Sequence, residues 1–155
     1  MAAALVRAGQ YDRALPLLTD LVTAARTPTA GHLLVRALTG LAEALVLVGA
    51  PEKALAHADE AVRLATAGTA GSAGDRPGGV AAVLATHGRA RALYALGRRD
   101  AALSSAQLAV ALGRTVGDAA VEARSHGLLA DLLTELGRGV EGAEARRREE
   151  LLGRV

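Results

Sequence analysis

The apolar positions along the chain recur at three- and four-residue steps, and the same step pattern returns several times. Leu38, Leu41, Ala42, Leu45 and Val48 fall on one face of a helix. After a break at Gly49, Leu55, Ala58, Ala61, Val62 and Ala65 do the same. A helix, a tight turn and a second helix are therefore predicted over about 32–66. The motif Ala42-x-Ala44-Leu45-x-x-x-Gly49 recurs as Ala90-x-Ala92-Leu93-x-x-x-Gly97 and as Ala130-x-Leu132-Leu133-x-x-x-Gly137. It is already present at the start as Ala2-x-Ala4-Leu5-x-x-x-Gly9. The four glycines lie 40, 48 and 40 residues apart, a period that marks a repeat architecture. No stretch alternates in the period of a strand, so the chain reads as all-α.

The turns carry their own signals. Glycine tolerates the left-handed conformation that closes a helix. Five residues after each one stands a small residue, Ala14, Ala54, Ala102 or Gly142. Small side chains at that place let two helices approach closely. Asp12, Glu52 and Asp100 follow their glycines by three, where an acid caps the next helix or complements its dipole. Pro51 suits the first turn of a helix. Pro16 is a mild exception near a helix start.

Gly9-Gln10-Tyr11-Asp12-Arg13-Ala14-Leu15 resembles the turn of a tetratricopeptide repeat, and Leu38, Leu41, Ala42, Leu45, Gly49, Ala54 and Ala61 follow that family's order of large and small positions. The resemblance covers essentially the whole chain as one domain, 1–155, with units near 1–26, 32–66, 80–114 and 118–153. It implies an α-solenoid of antiparallel helix hairpins, about three and a half repeats. The units exceed the family's usual length, and its aromatic positions are mostly Ala or Leu. Repeat four has Gly142 for the usual Ala, and Arg146 where a large apolar residue belongs. Long, Ala-rich units also resemble the C-terminal helical repeats of large actinobacterial regulators.

Two details concern organisation. The chain enters the first unit in the middle of its first helix, which suggests a fragment, a misassigned start or a decayed gene. Residues 67–79 are rich in Gly and Ala and read as a flexible surface loop open to proteolysis.

Composition narrows the chemistry. There is no Phe, no Trp, no Cys and one Met, so Leu, Val and Ala must supply the core. Without cysteine there is no disulfide, thiolate metal site or thiol nucleophile. The pI near 9.7 reflects 17 Arg against one Lys, while net charge is only +2. Acids and bases alternate, and the run Arg146 to Arg148 is flanked by Glu144, Glu149 and Glu150. That is not the concentrated basic stripe of a nucleic-acid binder. The most apolar stretch, Leu33 to Ala50, contains Arg36 and Glu43 and is a poor membrane span. With no targeting segment visible, a cytoplasmic location is the default. The Ala, Gly, Val and Arg bias suggests a GC-rich, actinobacterial genome.

Catalytic motifs are weak. Gly137-Arg138-Gly139-Val140-Glu141-Gly142 matches GxGxxG, but it follows a helix instead of a strand. His32, His57, His87 and His126 form no metal-binding pair, and Ser104 and Ser105 have no local base. No enzyme, metal or cofactor is expected. The resemblance implies instead that first-helix positions away from the packing stripe line a concave, peptide-binding surface. These are Arg36, Thr39 and Glu43; Leu84, His87 and Arg91, with Tyr94 a turn further; and Arg124, Gly127 and Asp131, with Glu135 close by. Their charge is mixed, which does not favour a clamp for a chaperone tail. The expected partner is a protein or peptide, with no direct contact to nucleic acid or membrane. Apolar Leu15, Leu18 and Leu21, half-covered by a short first helix, suggest self-association through the N-terminal unit.

Overall fold

The computed structural model describes residues 1–27, 30–67 and 79–154. The segment 67–79 read as a flexible loop lies, but for its two ends, outside the described residues. Eight α-helices follow one another in the described residues: α1 (Ala2–Arg7), α2 (Tyr11–Ala24), α3 (Gly31–Leu47), α4 (Pro51–Thr66), α5 (Val80–Ala95), α6 (Arg99–Val116), α7 (Ala119–Glu135) and α8 (Gly139–Leu152). No strand occurs among the described residues. The chain is an all-helical solenoid of antiparallel hairpins. Within each hairpin the two helices pack on each other, and α3, α5 and α7 also stack directly in that order.

Each hairpin turn is made the same way. Gly9, Gly49, Gly97 and Gly137 take φ of 71°, 77°, 72° and 76°, the left-handed region that costs a side chain most. Each glycine amide bonds back to Val6, Val46, Tyr94 or Thr134, and the next amide reaches the carbonyl of Leu5, Leu45, Leu93 or Leu133 at 2.8–2.9 Å. This pair of bonds satisfies helix-end carbonyls that would otherwise lack donors. The residue after the glycine, Gln10, Ala50, Arg98 or Arg138, is at once the end of the turn and the N-cap of the second helix. Its carbonyl accepts from the amide of Ala14, Ala54, Ala102 or Gly142. The motif read from the sequence is thus one continuous backbone bonding pattern.

Of the two roles expected for the acids after the turns, the structure selects one. Asp12, Glu52 and Asp100 lie inside the first turn of their helices, and none of these N-caps makes a side-chain bond. The acids therefore complement the helix dipole without capping it. Among the described residues Asp118 is the side chain that caps, accepting from the amides of Ala120 and Val121. It follows a fifth left-handed glycine, Gly117, which ends α6. Pro16 sits inside α2, and the helix runs on to Ala24.

Ala14, Ala54 and Ala102 are fully buried. In the fourth hairpin the helices come closer still. A Cβ placed on Gly142 would lie 2.6 Å from Thr134 Oγ1 and 3.1 Å from the carbonyl oxygen of Ala130. The glycine that departs from the family pattern is the residue that this approach requires. The core is built mainly of Ala, with Val35, Leu38 and Val83 its largest fully buried apolar side chains. The buried hydroxyls of Thr39, Thr86 and Ser125 bond to carbonyls four residues back, at 2.7–3.0 Å, and so bring no unpaired polar group into the interior.

Of the three N-terminal leucines, one is better covered than expected. Leu18 is buried in the main core cluster, against which Ala2, Leu5, Val6 and Leu15 pack. Leu21 remains 43% exposed.

Two substitutions test the register. Ala102→Leu adds volume at a closed contact and is expected to destabilise by about 1–3 kcal/mol. Gly142→Ala raises helix propensity by about 1 kcal/mol, yet it should still lower stability, because the added methyl meets Thr134. Thermal or urea melts of both variants against the parent provide the check.

Candidate peptide-binding groove

Because α3 and α7 both pack on α5, their outward side chains converge above it. Arg124 on α7 reaches Glu43 on α3, with Nη2 and Oε1 3.5 Å apart. Beneath this contact the stacked helices form a groove of three adjoining spaces. The first, about 170 Å³, is lined by Val35, Arg36, Thr39, Gly40, Glu43, Ala81, Leu84 and Arg124. The second, about 540 Å³, opens between α1, α2 and α3. Its walls are Met1, Ala2, Val6, Leu18, Leu21, Leu33 and Ala37, and Arg36, Glu43 and Arg124 stand along it too. The third, about 330 Å³, is polar and includes His87, Arg91, Gly127, Asp131, Arg146 and Glu149.

Seven of the nine candidate residues read from the sequence line these spaces: Arg36, Thr39, Glu43, His87, Arg91, Arg124 and Asp131. Their roles differ. Thr39 is buried, and its hydroxyl is spent on the carbonyl of Val35. His87 is also buried, its Nε2 3.2 Å from Ser125 Oγ. Since the serine hydroxyl donates to the carbonyl of Val121, the imidazole carries its proton on Nε2 and donates to the serine. Ser125 is fully buried, so this pair is a packing contact and not an exposed nucleophile. Burial, with Arg124 and Arg91 nearby, pushes the His87 pKa down to about 4. The floor of the groove is therefore neutral at pH 7.

Tyr94 and Glu135 do not line the groove. Tyr94 is half-buried and packs against the cluster of Ala90, Leu93, Ala102, Ala106 and Leu132. A step of one turn along α5 carried it from the open face into the seam with its neighbours. Glu135 is exposed at the last residue of α7.

Two groups were missed. One is the apolar wall from α1, α2 and the start of α3. It belongs to the packing stripe and reaches the groove only where those helices diverge. The other is Arg146 with Glu149, from the second helix of the last hairpin. Arg146 bonds both Asp131 and, at 2.6 Å, Glu149. The Glu149 carboxylate fills the notch at Gly127, where a Cβ would lie 2.5 Å from its Oε1. The sequence held a signal here, an arginine at an apolar position opposite a glycine on the first helix.

Among the described residues no group of three or more His, Asp or Glu is placed to hold a metal ion, and no helix is long and apolar enough to cross a membrane.

No family model and no curated protein sequence matches the chain. Among solved structures it is similar to Bacillus thuringiensis PlcR in complex with the peptide PapR7 and DNA. The TM-score is 0.78 at 15% identity, over 97% of this chain and 52% of PlcR. The chain thus spans about half the length of that protein. At this identity the likeness establishes the fold, a helical repeat solenoid.

The buried imidazole has a pH signature. His87 binds its proton at about 4 in the folded chain and near 6.5 when unfolded. Between these values the unfolded state holds more protons, so stability falls as pH drops from 6.5 towards 4. His57 and His126, lowered by burial as well, act in the same direction. Replacing His87 with Gln should remove its share. From pH 7 to 4.5 the parent should lose about 2–3 kcal/mol more than the variant, as read from urea midpoints.

Proposed function

We propose that this chain is a tetratricopeptide-like binding module that takes a peptide or protein segment along its groove. The observation that carries this reading is convergence. Seven side chains chosen from the sequence, by helical spacing together with the repeat-family resemblance, stand around one groove, and that groove continues into an apolar space of about 540 Å³. A mostly apolar cleft with a few placed polar groups is what ligand sites share. PlcR, which has this fold, was solved with a peptide bound, and that supports a peptide as the ligand class. Binding, and not catalysis, is the reading that the groove favours. Leu18 and Leu21, two of the three leucines first read as a self-association surface, are groove wall. Any self-association through them would compete with ligand.

One observation favours a second reading, a signal-relaying segment of a larger, actinobacterial transcriptional regulator in the cytoplasm. Nearly all of this chain superposes on about half of a protein whose structure also holds DNA. We expect no DNA contact from this segment itself, because Arg146 of the basic run is turned to Asp131 and Glu149. The genomic reading frame around the chain decides this second reading: a neighbouring DNA-binding module in frame supports it.

The binding reading is tested with soluble peptides selected from a random display library on the parent protein. Leu33→Asp puts a charge into the apolar wall and should weaken binding at least tenfold. Leu108, exposed on α6 and outside the groove, serves as control, and Leu108→Asp should bind like the parent. Equal binding by both variants would place the ligand elsewhere.

A further inference from the structure

We infer that the groove selects a segment carrying a carboxylate next to aliphatic side chains, and that Glu43 holds the carboxylate's place in the free protein. This rests on the groove reading above and adds the ligand's chemistry to it.

The argument begins with pairing. Counted by residue, the groove is mixed: Arg36, Arg91, Arg124 and Arg146 face Glu43, Asp131 and Glu149. Counted by partner, it is not. Arg146 holds both Asp131 and Glu149, so those three charges form a closed group at the α7–α8 end. Arg36 and Arg91 form no ion pair among the described residues. Arg124 has only Glu43, at 3.5 Å, longer than the 2.7–2.9 Å of a well-formed charged hydrogen bond. With His87 neutral, three guanidinium groups share one carboxylate in the middle of the groove.

Position adds to pairing. Arg124 borders all three spaces, so a segment lying along the groove must pass it. Its side chain is more than half exposed, whereas Glu43 is about three-quarters covered. The guanidinium is thus open to a ligand on the side that Glu43 leaves free. A guanidinium fork takes a carboxylate through two parallel bonds, which the single long contact to Glu43 does not achieve. A ligand acid therefore gains on Glu43 by geometry, while a neutral segment would break the bridge for nothing. A basic segment would meet Arg36 and Arg91 as like charges. Next to Arg36 and Arg124 the wall is Val6, Leu18, Leu21 and Leu33, so aliphatic side chains belong within a few residues of the acid.

The test uses a random dodecapeptide display library, panned on the parent, Glu43→Gln, Arg124→Gln and Arg124→Lys. Winners are resynthesised beside versions with Asp→Asn or Glu→Gln, and affinities are read by fluorescence anisotropy. Parent winners should carry an acid near Leu, Ile or Val and lose about tenfold or more as the amide, the scale of a charge-assisted bond. Glu43→Gln should bind the acidic peptides several-fold tighter. Arg124→Gln should bind acid and amide alike, and Arg124→Lys should keep part of the preference, since it keeps the charge without the fork. Neutral or basic winners overturn this inference and leave the groove reading standing, provided that Leu33→Asp still weakens them. So does an acid preference that survives Arg124→Gln. Winners indifferent to Leu33→Asp, or no winners at all, remove both readings.

Discussion

The structure depends on one backbone bond, repeated four times: the amide of each second-helix N-cap donates to a carbonyl five residues earlier, across a left-handed glycine. That bond sets where the second helix begins and how it leaves the turn. From there the rest is constrained. The fourth residue into the second helix must face the first, so it is Ala14, Ala54, Ala102 or Gly142. The opposite face of the first helix must then point away from its partner. Stacking α3, α5 and α7 brings those free faces together as one surface. The groove is a consequence of the turn, and its side chains were free to be chosen for other ends.

A core of alanines has a cost that the buried hydroxyls make visible. Each alanine removes little apolar surface from water, and the compensation is proximity, helices in contact over long stretches. Proximity leaves little room for side chains with partners of their own. Thr39, Thr86 and Ser125 meet the constraint by bonding to their own helices. His87 meets it by staying neutral. Where two helices come closest, at Gly142, even a methyl group is excluded.

How much of this was legible follows from the range of each interaction. Gly9, Gly49, Gly97 and Gly137 act on residues within five positions, so spacing revealed the hairpins. The groove positions on α3, α5 and α7 repeat at three and four residues, so helical geometry gathered most of them on one face. Tyr94 escaped because one more turn crosses from open face to seam. Arg124 with Glu43, 81 positions apart, could not be seen, since local pattern holds nothing about which distant charges meet. Asp12, Glu52 and Asp100 were placed correctly, but their role depends on a two-residue step from N-cap to first turn. Arg146 did stand out as a misfit, and only its carboxylate partners explained why.

The hairpin turns also bear on how such a chain can change. The residues after the turn glycines are Gln10, Ala50, Arg98 and Arg138, an amide, a methyl and two guanidinium groups at positions with the same task, because the backbone performs that task and no side chain caps the helix that follows. Little beyond a glycine and a small residue per hairpin is pinned. A lineage built this way can drift through most of its sequence while its shape stands still. A chain that matches no family model can then superpose on a protein with which it shares 15% of its residues.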